Sequence, residues 1–198
     1  MRFTAAILVA ILGYTWFFEA RGVPVTVPAV LVLSITVLNG LRSGIWGLSP
    51  GGFFPASRAA ALFTAVMVLI VLGIGMALGT LHDRGASLGD LAVLIPWGTA
   101  QQWVLQTVVL REVRELTSRR KSVIVAAALF AIVHAPNPLL MTMTFAGALG
   151  WCAIYLRYPN ILPLGVSHAI ATVALLYAFG DGLTGHLRIG LAYLRTTR

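Results

Sequence analysis

Long apolar stretches, separated by short polar breaks, dominate the pattern of this chain. Most are about 18 to 20 residues long, which is the length a helix needs to cross the ~30 Å hydrocarbon core of a bilayer. Hydropathy places seven stretches, of which the fifth is short, at residues 3–18, 23–41, 59–81, 91–110, 122–134, 139–156 and 161–179. The pattern predicts an all-α fold, a polytopic transmembrane bundle of about six to eight helices that forms a single integral membrane domain over residues 1–198.

Composition excludes an ordinary soluble domain. Hydrophobic residues make up 59% of the chain and charged residues only 10%, whereas a soluble domain has roughly 25% charged residues. So few charges cannot cover a water-facing surface. The unbroken apolar stretches also differ from the period-two alternation of a membrane barrel, so helices are the predicted spanning elements.

Lysine and arginine collect in the loops on one side of the predicted bundle. Arg2 precedes the first span, and five basic residues lie between positions 111 and 121, after the fourth span. Loops on the other side mix both signs, as where Asp83 stands beside Arg84. By the positive-inside rule we expect the N-terminus in the cytoplasm, and we expect a prokaryotic cytoplasmic membrane.

The net charge of +8 indicates topology and attraction to anionic lipid. Nucleic acid is not an expected partner, because the basic residues are scattered over membrane loops. Cys152 is the single cysteine, so neither a disulfide nor a thiolate metal cluster can form within one chain. Membrane lipid is therefore the first predicted partner.

Two segments outside the spans are predicted to lie at the membrane interface. The loop at residues 42–54 combines Trp and Phe with Gly and Pro, which favours an interfacial anchor, with a substrate lid as the alternative. The tail at residues 183–198 mixes Leu and Ile with arginines. It is typical of an interfacial helix, and its side of the membrane stays open.

Chemistry in such a protein must come from the few polar residues in or beside the spans, because their burial is costly and they usually face the bundle interior. All six acidic residues lie in predicted loops or at span ends. The polar residues that remain are Gln101, Gln102, Gln106, His134, Asn137, His168 and Thr172.

Spacing groups these residues. Gln102 and Gln106 share a helix face because they are four residues apart, with Gln101 one step round, and the same spacing joins Phe130 to His134. His168 and Thr172 are also four apart. One interpretation is a common pocket formed by the fourth, fifth and seventh helices. The alternative is a set of separate interhelical hydrogen bonds, each worth roughly 1 kcal/mol.

Two motifs resemble a known family. Phe-x-x-x-His at 130–134 and His-x-x-x-Thr at 168–172 are similar to the second and third motifs of the CAAX protease and bacteriocin-processing intramembrane endopeptidases, also called Abi proteins. The stretches around His134-Ala135-Pro136 and Tyr158-Pro159-Asn160 also look like that family. The resemblance covers about residues 95–180. It implies an Abi-type helical bundle and peptidase activity.

The first motif of that family departs in this chain. The family carries Glu-Glu-x-x-x-Arg, and Gln101, Gln102 and Gln106 stand at those positions. In the family the first Glu is thought to activate the attacking water, and an amide has no basic lone pair for that role near pH 7. Losing both carboxylates and the Arg together leaves no unpaired charge behind.

Three functional hypotheses follow. In the first, an intramembrane endopeptidase cuts a membrane-embedded or lipid-linked protein, with His134 or His168 as base and the three glutamines orienting water or stabilising the oxyanion. Phe130, Asn137 and Thr172 would bind substrate. In the second, a catalytically silent homologue, or pseudoenzyme, binds such a segment without cutting it, as a chaperone or scaffold.

The third and weakest hypothesis is a small-solute transporter, since neither inverted repeats nor a buried charge is found. No cofactor is predicted for this chain. A divalent metal would have to rely on His134 and His168, because amide oxygens are poor substitutes for carboxylates around a transition metal.

Overall fold

The computed structural model describes residues 1–81 and 88–196, and these are almost entirely helical. Within them the only strand-like pairing is a bridge between Leu48 and Asn160. Asp83, Arg84 and Arg198 lie outside the described residues. The predicted all-helical bundle is confirmed. Its main helices are α1 (Arg2–Gly13), α2 (Thr26–Ser43), α3 (Phe53–Ala77), α4 (Leu88–Val104), α5 (Arg111–Leu116), α6 (Arg119–Ile132), α7 (Pro138–Arg157) and α8 (Ile161–Ala178).

Among the described residues, five helical stretches are long and apolar enough to cross a membrane, which confirms an integral membrane protein. The α1 stretch continues through a π turn and a 3₁₀ turn to Arg21. A 3₁₀ turn precedes α3. The five stretches are Arg2–Arg21, Thr26–Ser43, Pro50–Ala77, Pro138–Arg157 and Ile161–Ala178.

The fourth predicted span is longer than expected and contains a π-helical turn. α4 runs through that turn (Leu105–Leu110) into α5 without a break. The carbonyl of Thr107, inside the turn, accepts hydrogen bonds from Asn39 Nδ2 at 3.1 Å and from Arg111 Nε at 3.2 Å. A π turn leaves carbonyls without their usual helical partner. Here the freed carbonyl joins α2 to the fourth span.

α8 is the central helix of the bundle. Both α3 and α4 pack along it, and α6 packs against α7, whereas within the described parts of the chain α3 and α4 make at most marginal contact with each other. Small residues let α4 approach α8 closely, since a Cβ added at Gly98 would stand 2.9 Å from the carbonyl oxygen of Gly165. A cleft therefore remains between α3 and α4, with α8 at its base.

The loop after α2 is bound to the turn between α7 and α8. The Ser49 N–H donates to the Pro159 carbonyl at 3.0 Å, and the Ile161 N–H donates to the Gly47 carbonyl at 2.9 Å. Trp46 stacks on Trp103 with ring centroids 6.1 Å apart. The loop thus packs on protein as well as presenting its exposed Phe54 to the surroundings.

Within the described residues, Glu112 does not pair with a neighbouring arginine. Glu112 and Glu115 both lie in the arginine-rich segment after the fourth span, where ion pairs with Arg are expected, and Glu115 does pair with Arg111 at 2.8 Å. Glu112 instead accepts hydrogen bonds from the backbone N–H groups of Thr4 at 2.9 Å and Phe3 at 3.2 Å. The first N–H groups of a helix have no partner within it, so a nearby carboxylate satisfies them. Glu112 therefore fixes the start of α1 against α5.

Replacing Glu112 with glutamine is expected to lower the free energy of unfolding by about 1–3 kcal/mol at pH 7, because the N–H groups lose a charged acceptor. Burial acts to raise the pKa of Glu112, but the hydrogen bonds from Thr4 and Phe3 and the nearby amino-terminal charge outweigh it, so the pKa is lowered. A lowered pKa stabilises the fold above the ordinary glutamate value and loses that effect as the pH falls. Unfolding in detergent micelles, followed from pH 7 to pH 3, checks this, since the difference between the two proteins must shrink as the pH falls.

The tail covers the end of the bundle opposite to Glu112. It consists of α9 (Asp181–Thr184), a 3₁₀ turn (Gly185–Leu187) and α10 (Gly190–Thr196). The Gly190 N–H donates to the Ala135 carbonyl at 2.8 Å, in the turn between α6 and α7. The tail, whose side the sequence left open, therefore lies at the end away from the arginine-rich α5–α6 turn.

Candidate functional site

A cavity of about 200 Å³ lies among α3, α4, α7, α8 and the tail. No Asp, Glu, Lys or Arg is among its described lining residues. Ligand pockets are commonly about 300–1,000 Å³, so this cavity fits a short stretch of chain rather than a large cofactor. Its lining residues with polar or aromatic side chains are Trp97, Gln101, His134, Thr144, Trp151, His168 and Thr172.

His134 follows the last turn of α6 and presents one free ring nitrogen. Its Nδ1 lies 2.7 Å from the carbonyl oxygen of Phe130, one helical turn earlier. A carbonyl only accepts, so Nδ1 carries the proton and Nε2 keeps the lone pair of the neutral ring. The Phe130 ring packs edge-on against His134, with centroids 5.1 Å apart. His134 is thus oriented by its own helix.

His168 is held on both sides. Its ring stacks on Trp151 with centroids 4.6 Å apart and an interplanar angle of 21°, and Phe130 meets it edge-on at 6.1 Å. Nδ1 lies 3.4 Å from the Gln102 amide nitrogen. With the amide as donor, Nδ1 is the acceptor and Nε2 carries the proton. Phe130 therefore contacts both imidazoles.

Gln102 and Gln106 form a buried amide chain behind His168. The Gln106 amide nitrogen donates to the Gln102 side-chain oxygen at 2.9 Å, and their side chains are 0% and 1% exposed. The other end of Gln106 is incompletely satisfied, because its side-chain oxygen has no hydrogen-bond partner. The Cys152 thiol lies beside Gln106. This chain orients His168 and contains no ionisable carboxylate.

Trp151 is positioned by a second polar chain. Its Nε1–H donates to Ser167 Oγ at 2.9 Å. Ser167 and Thr64 hydroxyls are 2.6 Å apart, and Thr64 donates onward to the Ala60 carbonyl at 2.6 Å. The chain links α7, α8 and α3 behind the stacked imidazole. It fixes the indole plane on which His168 rests.

The structure brings most of the predicted residues to one place, in two layers. Gln101, His134, His168 and Thr172 line the cavity, while Gln102 and Gln106 lie behind it. Thr172 donates to the His168 carbonyl at 3.0 Å. Phe130 lies between the two imidazoles. The pocket involves more than the fourth, fifth and seventh predicted spans, because α3, α7 and the tail also line it.

Asn137 is in a different environment. Its side-chain oxygen caps α7 by accepting from the Leu140 N–H at 3.1 Å. Its amide nitrogen donates to the carbonyls of Thr184 at 2.8 Å and Arg188 at 3.1 Å. The residue is 0% exposed and is not among the described lining residues. It ties the tail to the turn that carries His134.

Trp97 and Trp151 were missed because sequence reasoning treated tryptophan as an interfacial anchor. Trp151 stands inside the sixth predicted span, five residues before its end, and that position within the apolar stretch was the available signal. Trp97 is one helical turn before Gln101 and so shares its face. It lines the cavity while 54% exposed, so it lies at the cavity mouth.

Replacing Gly165 with alanine is expected to lower the free energy of unfolding by about 1–3 kcal/mol, because a small-to-large change overpacks the α4–α8 contact. An added Cβ would stand 2.7 Å from the Thr99 Cα, which is backbone and cannot turn aside. α4 must then move, which lengthens the Gln102 to His168 contact. Thermal unfolding in micelles measures the effect. Gly73→Ala in α3 is the matched control, since nothing lies within 4 Å of its added Cβ, and equal losses in both variants would contradict the expectation.

Metal binding was tested against the donor atoms of the cavity. Across residues 1–81 and 88–196, no group of three His, Cys, Asp or Glu side chains is placed to hold a metal ion. The two imidazoles offer two Nε2 atoms, and a catalytic zinc site normally has three protein ligands. Gln101 could add only an amide oxygen, which is a poor ligand for a transition metal, and Gln102 is already engaged with His168 and Gln106. The donor set does not fit such a site, so no step below uses a metal.

Comparison with known protein families covers part of the chain. A family model described as Type II CAAX prenyl endopeptidase Rce1-like matches residues 90–174, somewhat less than half of the chain. These residues are called the Rce1-like segment below because of that similarity. No curated protein and no solved structure matches the chain. The predicted resemblance to CAAX proteases is thereby confirmed. The Rce1-like segment contains every predicted site residue from Gln101 to Thr172, whereas α3 and the tail, which also line the cavity, lie outside it.

Proposed function

We propose that the protein is an intramembrane endopeptidase of the CAAX protease type, which cuts a membrane-embedded or lipid-linked protein by a histidine-based mechanism. The observation that supports it is the pair of imidazoles at one cavity. His134 presents a lone pair on Nε2, while His168 presents an N–H. One acceptor and one donor beside each other are what the hydrolysis of an amide requires.

The reaction uses these groups in two steps. A water molecule attacks the peptide carbonyl and gives a proton to His134 Nε2, while the His168 Nε2–H and the Gln101 amide donate hydrogen bonds to the developing oxyanion. His134 then passes that proton to the leaving amine as the C–N bond breaks. Gln102 and Gln106 are positioning residues, because they hold His168 in the tautomer that donates from Nε2.

Substrate reaches the cavity from the bilayer. α3 and α4 both pack on α8 and leave a cleft between them, and residues from both helices line the cavity. The rim is apolar on one side, with Met67 and Val68, and aromatic on the other, with Trp97. Such a cleft suits an apolar segment that arrives laterally, as a membrane-embedded or lipid-linked chain does.

The second candidate is a silent homologue that binds the same segment without cutting it. One observation favours it: no described lining residue is a carboxylate, and the positions of the family's Glu-Glu-x-x-x-Arg motif hold neutral amides, of which Gln102 and Gln106 are hydrogen-bonded to each other. A neutral buried network is stable without performing chemistry. The cavity would then select a segment by shape and by two imidazole contacts.

The deciding experiment uses the purified protein in lipid and a library of single-span and lipidated peptides. Wild type is compared with His134→Ala and His168→Ala for both cleavage and capture. The His186→Ala variant is the matched control, because His186 lies in the tail, pairs with Asp181 at 3.1 Å and does not line the cavity.

Cleavage that both cavity variants abolish and the control retains supports the peptidase. Capture without cleavage, released by the same variants, supports the silent homologue. Failure of wild type either to cut or to capture any member of the library overturns both candidates. Cleavage that survives in both cavity variants overturns the proposed mechanism.

A further inference from the structure

The tail contributes two apolar side chains to the cavity lining, and the side chain of the residue between them is exposed. Leu187 and Ile189 line the cavity and pack against the cluster formed by α3, α7 and α8. Arg188 is exposed, and its backbone is extended, with φ −75° and ψ 153°. Alternation with period two is the pattern of an extended peptide lying on a surface. The chain is therefore extended at Arg188, and the side chains on either side of it, Leu187 and Ile189, line the cavity.

Main-chain hydrogen bonds hold the segment on both sides. The Asn137 amide binds the carbonyl of Arg188 at 3.1 Å, and the Ala135 carbonyl accepts from the Gly190 N–H at 2.8 Å. These contacts do not depend on the tail's side chains. Main-chain bonds for affinity, with pockets for alternate side chains, are how proteins bind extended peptides. Both holding residues belong to the turn that carries His134.

The approach to this segment is conformationally unfavourable. His186 and Leu187 have positive φ values of 54° and 57° although neither is glycine. Such residues cost of order 1–3 kcal/mol each and persist only where surrounding contacts enforce them. The tail is thus held in place by its contacts, so a change that removes those contacts is expected to release it.

We propose that the tail end of the cavity is a subsite for an extended peptide with apolar side chains at alternate positions, and that residues 187–190 occupy it as an internal mimic of that peptide. The inference rests on the proposed function, since it names the substrate class of the same cavity. It adds that this subsite recognises three consecutive peptide residues, of which the first and third are apolar and the second is variable. The bound tail also keeps the site closed until a substrate displaces it.

The test measures binding of a fluorescent peptide with the sequence of residues 184–191 to the full chain in lipid nanodiscs. In wild type the attached tail competes at an effective concentration on the order of millimolar, so the probe binds weakly. In the Leu187→Ser/Ile189→Ser variant the tail loses its apolar contacts with the cavity. The probe is then expected to bind at least about tenfold more tightly than to wild type. The Leu183→Ser variant is the matched control, because Leu183 is an exposed leucine of the same tail and is not among the described lining residues.

A second probe and a second variant keep the test decisive. The same peptide with serine at both apolar positions should not gain affinity in the tail variant. Gly190→Ala is expected to release the tail while both Leu187 and Ile189 stay in the sequence, since Gly190 has φ +60° and its added Cβ would overlap the Thr15 carbonyl. It should also bind the apolar probe more tightly. Equal affinity in wild type and both tail variants, or equal binding of the two probes, overturns the inference.

Failure of this inference and failure of the proposed function give different results. The readout here is binding, so a protein that cuts no peptide still passes if release of the tail exposes the subsite. Conversely, a protein that cuts peptides at rates unaffected by the tail variants retains its peptidase function and loses the subsite.

Discussion

Gln106→Arg is expected to lower the free energy of unfolding by about 3–5 kcal/mol, because it leaves an unpaired charge in a buried site. Gln106 is 1% exposed and lies among Leu105, Cys152 and the Gln102 amide, none of which can balance a cation. A guanidinium also cannot escape by losing its proton. Denaturation in detergent micelles, with size-exclusion profiles to count folded protein, measures the loss.

Adding glutamate at the neighbouring position is expected to recover part of that loss. The Gln102 and Gln106 side chains are in direct contact at 2.9 Å, so Gln102→Glu supplies a carboxylate where the Arg needs one. The triple variant with Gln101→Glu, Gln102→Glu and Gln106→Arg should therefore be tolerated better than Gln106→Arg alone. Gln106→Met, neutral and of similar size, is the control and should cost about 1–3 kcal/mol, because the Gln102 oxygen loses its donor but no charge is buried. A triple variant as damaged as the single one would contradict the pairing argument.

The helices were predictable because each apolar stretch crosses a fixed thickness. The sixth and seventh spans were placed at 139–156 and 161–179, and the helices are Pro138–Arg157 and Ile161–Ala178. The fourth span was drawn to end at position 110, where arginines begin, yet the helix continues to Leu116. Hydropathy locates the boundary of the hydrocarbon layer, but the helical conformation of the backbone can continue beyond that boundary.

The sequence predicted which residues form the site, but not which of them line the cavity and which lie buried behind it. Spacing put Gln102 and Gln106 on one helix face and Gln101 beside it, and this is what separates the buried amide chain from the cavity wall. Periodicity could not tell which face met α8. Asn39 was overlooked although it lies inside the second predicted span. Its hydrogen bonds to Thr107 and Arg111 depend on a π turn, and no pattern of residues in the sequence predicts that turn.

Parts of the cavity come from outside the Rce1-like segment. That segment supplies Gln101, His134 and His168, which are the groups with chemistry. α3 and the tail add Met67, Leu187 and other apolar lining side chains to those that the segment itself provides, such as Trp97 and Met143. The polar lining side chains therefore come from the Rce1-like segment, whereas the apolar lining comes from both that segment and the rest of the chain.

Replacing His134 with alanine is expected to lower kcat for peptide cleavage by about 10²–10⁴-fold, the usual contribution of a positioned general base. KM should change little, because Nε2 takes a proton only as the bond to water forms. The imidazole is held by the Phe130 carbonyl of its own helix, so its loss leaves the Gln102–His168 contact and the α4–α8 packing in place. His186→Ala, which removes a histidine from the tail, should leave kcat unchanged. A His134→Ala enzyme that raises KM and keeps kcat would show that His134 binds substrate and that the base lies elsewhere.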